Sequence, residues 1–255
     1  TTNLVPNWSF EDSTECPNSQ LINDNCKFWF SANTANPTRY SECATNSLFD
    51  VPTNSVGFQY AFNGKSYSGL DLIAGGNTRE YVEIKLNSVL VNNKKYCFEL
   101  WYSLCDISMT ATPKIQVYLS PDSIFHSSIT FLPYQPQISN TNPNITDTLN
   151  WQKMEGSISA LGNEEFLIIG NFAPDTQSSD TILTGWGTWG GSHYLIDAVR
   201  LYDCTQPDTN VYEISFFPNP NNGNFTLNYN LGENINSGSF KIYDAIGKLV
   251  YDEKL

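Results

Sequence analysis

Basic side chains are scarce in this sequence. Lys and Arg number 13 across 255 residues, against 26 Asp and Glu, and the formal charge is −13. Nucleic-acid binding needs clustered cations that displace counterions from phosphate, so it is not expected. Adhesion to an anionic lipid surface is disfavoured on the same ground. Long apolar runs are missing too. None approaches the roughly 20 residues that cross a bilayer as a helix, and no signal peptide opens the chain. Direct membrane insertion is therefore not expected. Histidine is down to two, His126 and His193, each alone in a loop-like setting where a solvated side chain is the ordinary fate. No phosphate loop, nucleophile elbow, HExxH or dinucleotide fingerprint occurs. Carboxylates are numerous enough for a glycosidase pair, but no spacing singles one out. No catalytic residue is assigned, and the chain is read as a non-enzyme.

The six cysteines, Cys16, Cys26, Cys43, Cys97, Cys105 and Cys204, lack the paired CxxC units of a zinc site. In an exported protein such cysteines pair as disulfides. Roughly 15 pairings are open to six of them, and sequence does not choose. Cys16 and Cys26 flank a short polar loop and form the favoured bridge. The alternative for some is a buried free thiol, which packs as a small hydrophobe.

Helical periodicity is nearly absent, and strand signals recur between Asn, Pro, Gly and Ser clusters. Val82, Ile84 and Leu86 alternate with Tyr81, Glu83 and Lys85. Phe98, Leu100, Tyr102 and Leu104 alternate with Cys97, Glu99, Trp101 and Ser103, and Ile115, Val117 and Leu119 with Lys114, Gln116 and Tyr118. Residues 165–172 form a mostly apolar run, as in a strand buried on both faces. Leu195, Asp197, Val199 and Leu201 alternate with Ile196, Ala198 and Arg200. Short strands with frequent turns predict an all-β antiparallel sandwich. The segment 120–150 is rich in Pro, Asn, Ser and Thr and weakly patterned. A loop of that length is ordinarily functional or mobile. Residues 205–211 read as a linker between a large domain, 1–204, and a small one, 212–255.

The small domain carries two motifs. Phe216-Phe217-Pro218-Asn219-Pro220-Asn221-Asn222-Gly223-Asn224-Phe225 is a turn-rich entry into a strand. Tyr243-Asp244-Ala245-Ile246-Gly247-Lys248-Leu249-Val250-Tyr251 is a strand, a tight turn and another strand. Together they resemble the start of the C-terminal sorting domain of proteins exported by the type IX secretion system of Bacteroidetes. The resemblance implies a small, partial Ig-like β-sandwich, with Pro218, Asn219, Pro220, Gly223, Asp244, Gly247 and Lys248 as its signal. It implies outer-membrane components of that system as partners, and a secreted or cell-surface location. Thr1-Thr2-Asn3-Leu4-Val5 then reads as a mature N-terminus. The family's domain continues for several more strands beyond the point matching Leu255. Three strands offer too little core to stand alone, so a covering partner is expected.

The large domain also shows a resemblance. Asn3-Leu4-Val5-Pro6-Asn7-Trp8-Ser9-Phe10-Glu11 resembles the opening of carbohydrate-binding, galactose-binding-like jelly rolls, and Tyr194-Leu195-Ile196-Asp197-Ala198-Val199-Arg200-Leu201 their last strand. Residues 151–156 and 165–172 resemble the late strands of the same fold. Trp29-Phe30, Gly57-Phe58-Gln59, Arg79-Glu80-Tyr81 and the segment 94–97 follow the order of a Bacteroidetes surface variant. In those jelly rolls a structural calcium ion staples first and last strands. That implies Glu11 and Asp197 as metal ligands, with Asp12 and Asp71 able to add oxygens. The alternative is carboxylates that hydrogen-bond turn backbone.

Tyr, Phe and Trp number 14, 15 and 6. Sugars stack their C–H faces on such rings, framed by a few polar groups. The candidates are Trp186 and Trp189 in the glycine-flanked stretch 185–191, with Tyr40, Tyr60 and Trp29 in loop-like segments. Core packing is the usual alternative for Trp in a sandwich. Asp122-Ser123-Ile124, Asp147-Thr148-Leu149 and Asp180-Thr181-Ile182 resemble Bacteroidetes O-glycosylation acceptors. The reading is thus an exported, non-catalytic recognition protein that binds a glycan or a surface partner through aromatic loops. Its rivals are an accessory subunit of the type IX translocon or gliding machinery that keeps its tail as a docking element, and a polysaccharide-acting enzyme.

Overall fold

Apolar residues at every second position commit the large domain to pleated strands, and Asn-, Pro- and Gly-rich breaks keep those strands short. The structure is a computed structural model that describes residues 2–178, 180–183, 187–205, 213–217, 226–230, 239–243 and 248–254. The chain divides into two compact units, Thr2–Thr205 and Gln206–Leu255. No helix among the described residues is long and apolar enough to cross a membrane.

The large unit is an antiparallel jelly-roll sandwich. One five-stranded sheet runs in the order Trp29–Ser31, Val82–Lys85, Phe166–Gly170, Gln116–Ser120, Ile138–Ser139. The other runs Gln152–Ser159, Lys95–Leu104, Ser192–Asp203, Ser66–Ile73, Thr38–Ser41. Between them lies the main core. Val82, Ile84 and Leu86 meet Phe98, Leu100, Tyr102 and Leu104, and Ile115, Val117 and Leu119 complete the layer, all at the expected parity. Strand Phe166–Gly170 is buried on both faces, because Leu167 and Ile169 enter the main core while Ile168 enters a second cluster with Tyr81, Leu132 and Phe172. The first and last segments lie together: Leu4 N–H donates to the Leu201 carbonyl and Val199 N–H to the Trp8 carbonyl.

Three expectations change. Simple alternation does not hold along Ser192–Asp203. Tyr194 and Ile196 face the core, and so do Val199 and Leu201, while Leu195 packs on the outer face. A bulge between Asp197 and Arg200, with Ala198 at φ 53°, shifts the parity by one residue. The segment 120–150 is pinned rather than loose. It contributes strand Ile138–Ser139, and Leu132 N–H donates to Tyr81 Oη at 2.9 Å. The favoured Cys16–Cys26 bridge does not form. Cys16 pairs with Cys43 and Cys97 with Cys204, leaving Cys26 and Cys105 as buried thiols. A turn of helix over Ile22–Asn25 sends Cys26 into the core, away from Cys16.

Among its described residues the C-terminal unit contains two antiparallel pairs, Glu213–Phe217 with Thr226–Asn230 and Ser239–Tyr243 with Leu249–Lys254. The first of these strands was hidden in the sequence by the turn motif that follows it. In the second pair Tyr243, Leu249, Val250 and Tyr251 are exposed.

Candidate functional site

A pocket of about 280 Å³ opens where the strands Thr38–Ser41, Ser66–Ile73 and Ser192–Asp203 meet the loops that cap them. Sheet order makes Ser192–Asp203 the neighbour of Ser66–Ile73, with His193 directly opposite Asp71. Such opposed pairs stand close enough for their side chains to touch. Here His193 Nδ1 and Asp71 Oδ1 are 2.7 Å apart. Glu80 arrives from the loop before Val82–Lys85. Its N–H donates to the Asp71 carbonyl at 2.9 Å, and its Oε2 accepts the Asp71 N–H at 2.8 Å. This reciprocal clasp fixes both carboxylates beside the imidazole. Gln20, Asn36 and Tyr40 line the same pocket, and Trp189 stands at it with 42% of its surface exposed.

The site is acidic, with no Lys or Arg among its lining residues. Burial, and then the Asp71 charge, push the Glu80 carboxyl up to about 7. Burial alone would lower the His193 pKa, but the Cys105 thiol and the Asp71 carboxylate hold it well above its ordinary value. Burial pushes the Tyr40 phenol up to about 12 and raises Cys105 as well. A thiol beside a His–Asp pair suggests nucleophilic chemistry. A nucleophilic cysteine needs a depressed pKa and an open approach, and Cys105 is buried with its pKa shifted the other way. Cys105 is therefore not set up as a nucleophile, and the pocket presents carboxylates, amides and a ring.

Of the aromatic candidates, the structure brings Tyr40 and Trp189 to this pocket. Trp189 is held firmly rather than on a free loop: its N–H donates to the Ile107 carbonyl and its carbonyl accepts the Met109 N–H. Trp29 is 1% exposed, stacked on Phe10 at 4.8 Å with Nε1 donating to the Asn7 carbonyl, so it offers a ligand no face. Tyr60, 61% exposed, belongs to a separate aromatic patch with Phe58, Phe62, Trp101 and Trp151. Trp186 lies outside the described residues. His193, expected in a loop, sits in a strand at the centre of the site. Sequence reasoning missed it because its partner Asp71 is 122 residues away and Glu80 lies on a loop. The usable signal was its place directly before the last-strand pattern.

Glu11 and Asp197 meet at the turn 62–66. Glu11 Oε1 accepts the N–H of Lys65 and of Ser66, and Asp197 accepts the N–H of Asn63 and of Ala198. Gly64, at φ 70°, lets the turn close over Glu11, since a Cβ there would stand 2.5 Å from Oε1. Burial pushes the Asp197 carboxyl up to about 8, and Glu11 adds to the shift. Two adjacent carboxylates suit a hard cation, but backbone donors already occupy part of their capacity. Asp71 is committed to His193, and Asp12 is held through its backbone by Asn7 and Lys27. Of the sorting-signal residues, Lys248 is exposed at the start of the last strand, while Pro218, Asn219, Pro220, Gly223, Asp244 and Gly247 lie outside the described residues. Among the acceptor motifs, Ser123 and Thr181 are exposed, whereas Thr148 is buried and so closed to a glycosyltransferase.

Residues 215–255 match the secretion system C-terminal sorting domain. The tail is an export signal. The protein is accordingly secreted by the type IX system, to the cell surface or the extracellular space. Comparison with curated proteins gives no match. Among solved structures, the chain is similar to the CBM22-1 xylan-binding domain of Paenibacillus barcinonensis Xyn10C, at 15% identity and a TM-score of 0.42, over 76% of this chain and 90% of that one. The K1 cleaved adhesin domain of Lys-gingipain from Porphyromonas gingivalis W83 is similar at 12% identity and a TM-score of 0.38, over 80% of this chain and 99% of that one. A putative sugar binding protein from Bacteroides thetaiotaomicron VPI-5482 is similar at 9% identity and a TM-score of 0.39, over 79% and 100%.

Proposed function

We propose that this exported protein is a non-catalytic glycan-binding module whose ligand site is the Asp71–Glu80–His193 pocket. The observation that carries the reading is the convergence of two carboxylates, an imidazole and side-chain amides below an exposed Trp189. Carboxylates and amides bind vicinal hydroxyls, and an indole stacks on the apolar face of a sugar ring. The volume of about 280 Å³ sits at the small end of the range for ligand pockets, roughly 300–1,000 Å³. It suits the end of a glycan better than an internal stretch. A polysaccharide-acting enzyme would need an accessible acid and nucleophile or base across a scissile bond. Here the Glu80 carboxylate is tied to the Asp71 backbone N–H and the Asp71 carboxylate to His193 instead. Binding on a glycan array, lost on Trp189→Ala and on Asp71→Asn, supports the reading; clean arrays across polysaccharide classes sink it.

A second reading has its own observation. Phe58, Tyr60 and Phe62 are exposed, and Phe62 stacks on Trp101 at 4.0 Å. An aromatic patch of this kind also marks protein interfaces. An accessory subunit of the secretion or gliding apparatus would use it and would keep residues 212–255 as a docking element. Mass spectrometry of the native C-terminus separates the two: a mature chain lacking the tail fits the glycan-binding module, and an intact tail co-purifying with outer-membrane components fits the subunit. In either case the Glu11–Asp197 pair is the proposed calcium site, a cation there offsetting the burial, and the lesser Glu11 repulsion, that push Asp197 up to about 8.

A further inference from the structure

We propose that the floor of the pocket is a divalent transition-metal site of the zinc class, formed by Asp71, Glu80 and a ring nitrogen of His193. One ligand atom from each residue lies within 4.8 Å of the others. Ligands on a tetrahedral zinc at about 2.0–2.2 Å stand roughly 3.4 Å apart. Seating an ion therefore asks the 2.7 Å His193–Asp71 contact to open by less than about 1 Å.

The chemistry of the donors selects the metal. Imidazole with carboxylates suits zinc and its first-row neighbours, whereas calcium and magnesium prefer an all-oxygen set. The donors are also positioned before any ion arrives. Glu80 Oε2 accepts the Asp71 N–H, and Ser108 Oγ accepts the His193 N–H at 3.1 Å. Such outer contacts orient ligands and sharpen affinity.

A separate observation sets this imidazole apart. His193 is more than nine-tenths buried, yet its Nε2 has no hydrogen-bond partner. A Cβ on Gly69 would stand 2.7 Å from this atom and 2.8 Å from Cε2 of Tyr40. Glycine thus lets the His193 ring lie against the strand beside Tyr40, with Nδ1 turned to Asp71. A buried imidazole left half-satisfied is costly unless the ring has another duty. Binding an ion through Nδ1, the nitrogen that faces Asp71, is such a duty, and the pocket above leaves coordination positions open for water or for a ligand hydroxyl. That the ion meets a glycan there rests on the reading above; binding of the ion itself does not.

The test uses the full chain, stripped with chelator and titrated with zinc chloride by calorimetry, with cobalt(II) absorption as a second readout. One equivalent of zinc is expected, weakened about tenfold or more by Glu80→Gln and by Asp71→Asn and abolished by His193→Gln. His126→Gln, outside the pocket lining, is expected to bind as the wild type does. Melting curves confirm that each variant is folded, and Glu80→Gln, the mildest change, keeps the test valid if His193→Gln unfolds. No zinc binding, or binding unchanged by Glu80→Gln, overturns the proposal. Zinc binding with clean glycan arrays sinks the glycan reading and leaves the metal site standing.

Discussion

Replacing Glu83 with glutamine should remove a pH dependence from the stability of the large unit. Glu83 is fully buried on strand Val82–Lys85, beneath the segment 120–150. Both of its carboxylate oxygens accept the Ile124 N–H, at 3.0 and 3.3 Å. Burial pushes the carboxyl up to about 7, and hydrogen bonds from Ile124 and Ser123 only partly oppose it. No positive charge is among the causes. In the unfolded chain the same group titrates near about 4.3. Between those values the folded state holds a proton that the unfolded state has released. Stability therefore falls as pH rises, by about 1.4 kcal/mol per unit at most. Over the whole window the loss is about 4 kcal/mol as an upper figure, worth roughly 2–4 °C of melting temperature per kcal/mol in a domain of this size. Denaturant unfolding of wild type and Glu83→Gln, from pH 4.5 to pH 8.5, reads the difference directly. The wild type should lose stability relative to the variant as pH climbs, and the gap should flatten above about 7. Parallel profiles would refute the reasoning, because they would mean Glu83 is ionised in the folded state at no cost.

Three further outcomes are expected. The Cys97–Cys204 bridge closes a loop of 107 residues, so the double variant Cys97→Ala/Cys204→Ala should lose about 2–5 kcal/mol in denaturant unfolding, and an unchanged midpoint would contradict the pairing. Gly69→Ala should cost about 1–3 kcal/mol, because the added methyl meets His193 and Tyr40; a variant as stable as the wild type would place that pair elsewhere. If calcium fills the Glu11–Asp197 site, saturating calcium at about 100 times Kd should stabilise the protein by about 2.7 kcal/mol, lost in Asp197→Asn, and an unchanged melt with excess chelator would dismiss the ion.

Much of the sandwich was legible because strand parity is a local property. Tyr96 to Leu104 and Val82 to Leu86 announce which side chains face the core, and Leu167, Ile168 and Ile169 announce a strand covered on both sides. The failures come where geometry depends on distant chain. The bulge at Ala198 flips parity within a strand that reads as regular, since nothing in Leu195 to Leu201 marks the extra residue. Cys43 lies on the far side of a loop from Cys16, and only the fold makes it nearer than Cys26. The candidate site shows the same limit. Aromatic content drew attention to Trp189 and Tyr40, which line the pocket, and to Trp29, a ring that is core. Asp71 stood out only as a further calcium oxygen, and Glu80 and His193 not as ligands at all, because what brings Asp71 and His193 together is sheet order.

The central claim is that an exported jelly roll recognises a glycan at the Asp71–Glu80–His193 pocket. Its most direct test is calorimetric titration of the wild type and Trp189→Ala with a glycan selected on an array. Stoichiometric binding by the wild type, weakened about tenfold or more in Trp189→Ala with an unchanged melting temperature, is the predicted result. Equal affinity in both proteins would contradict it.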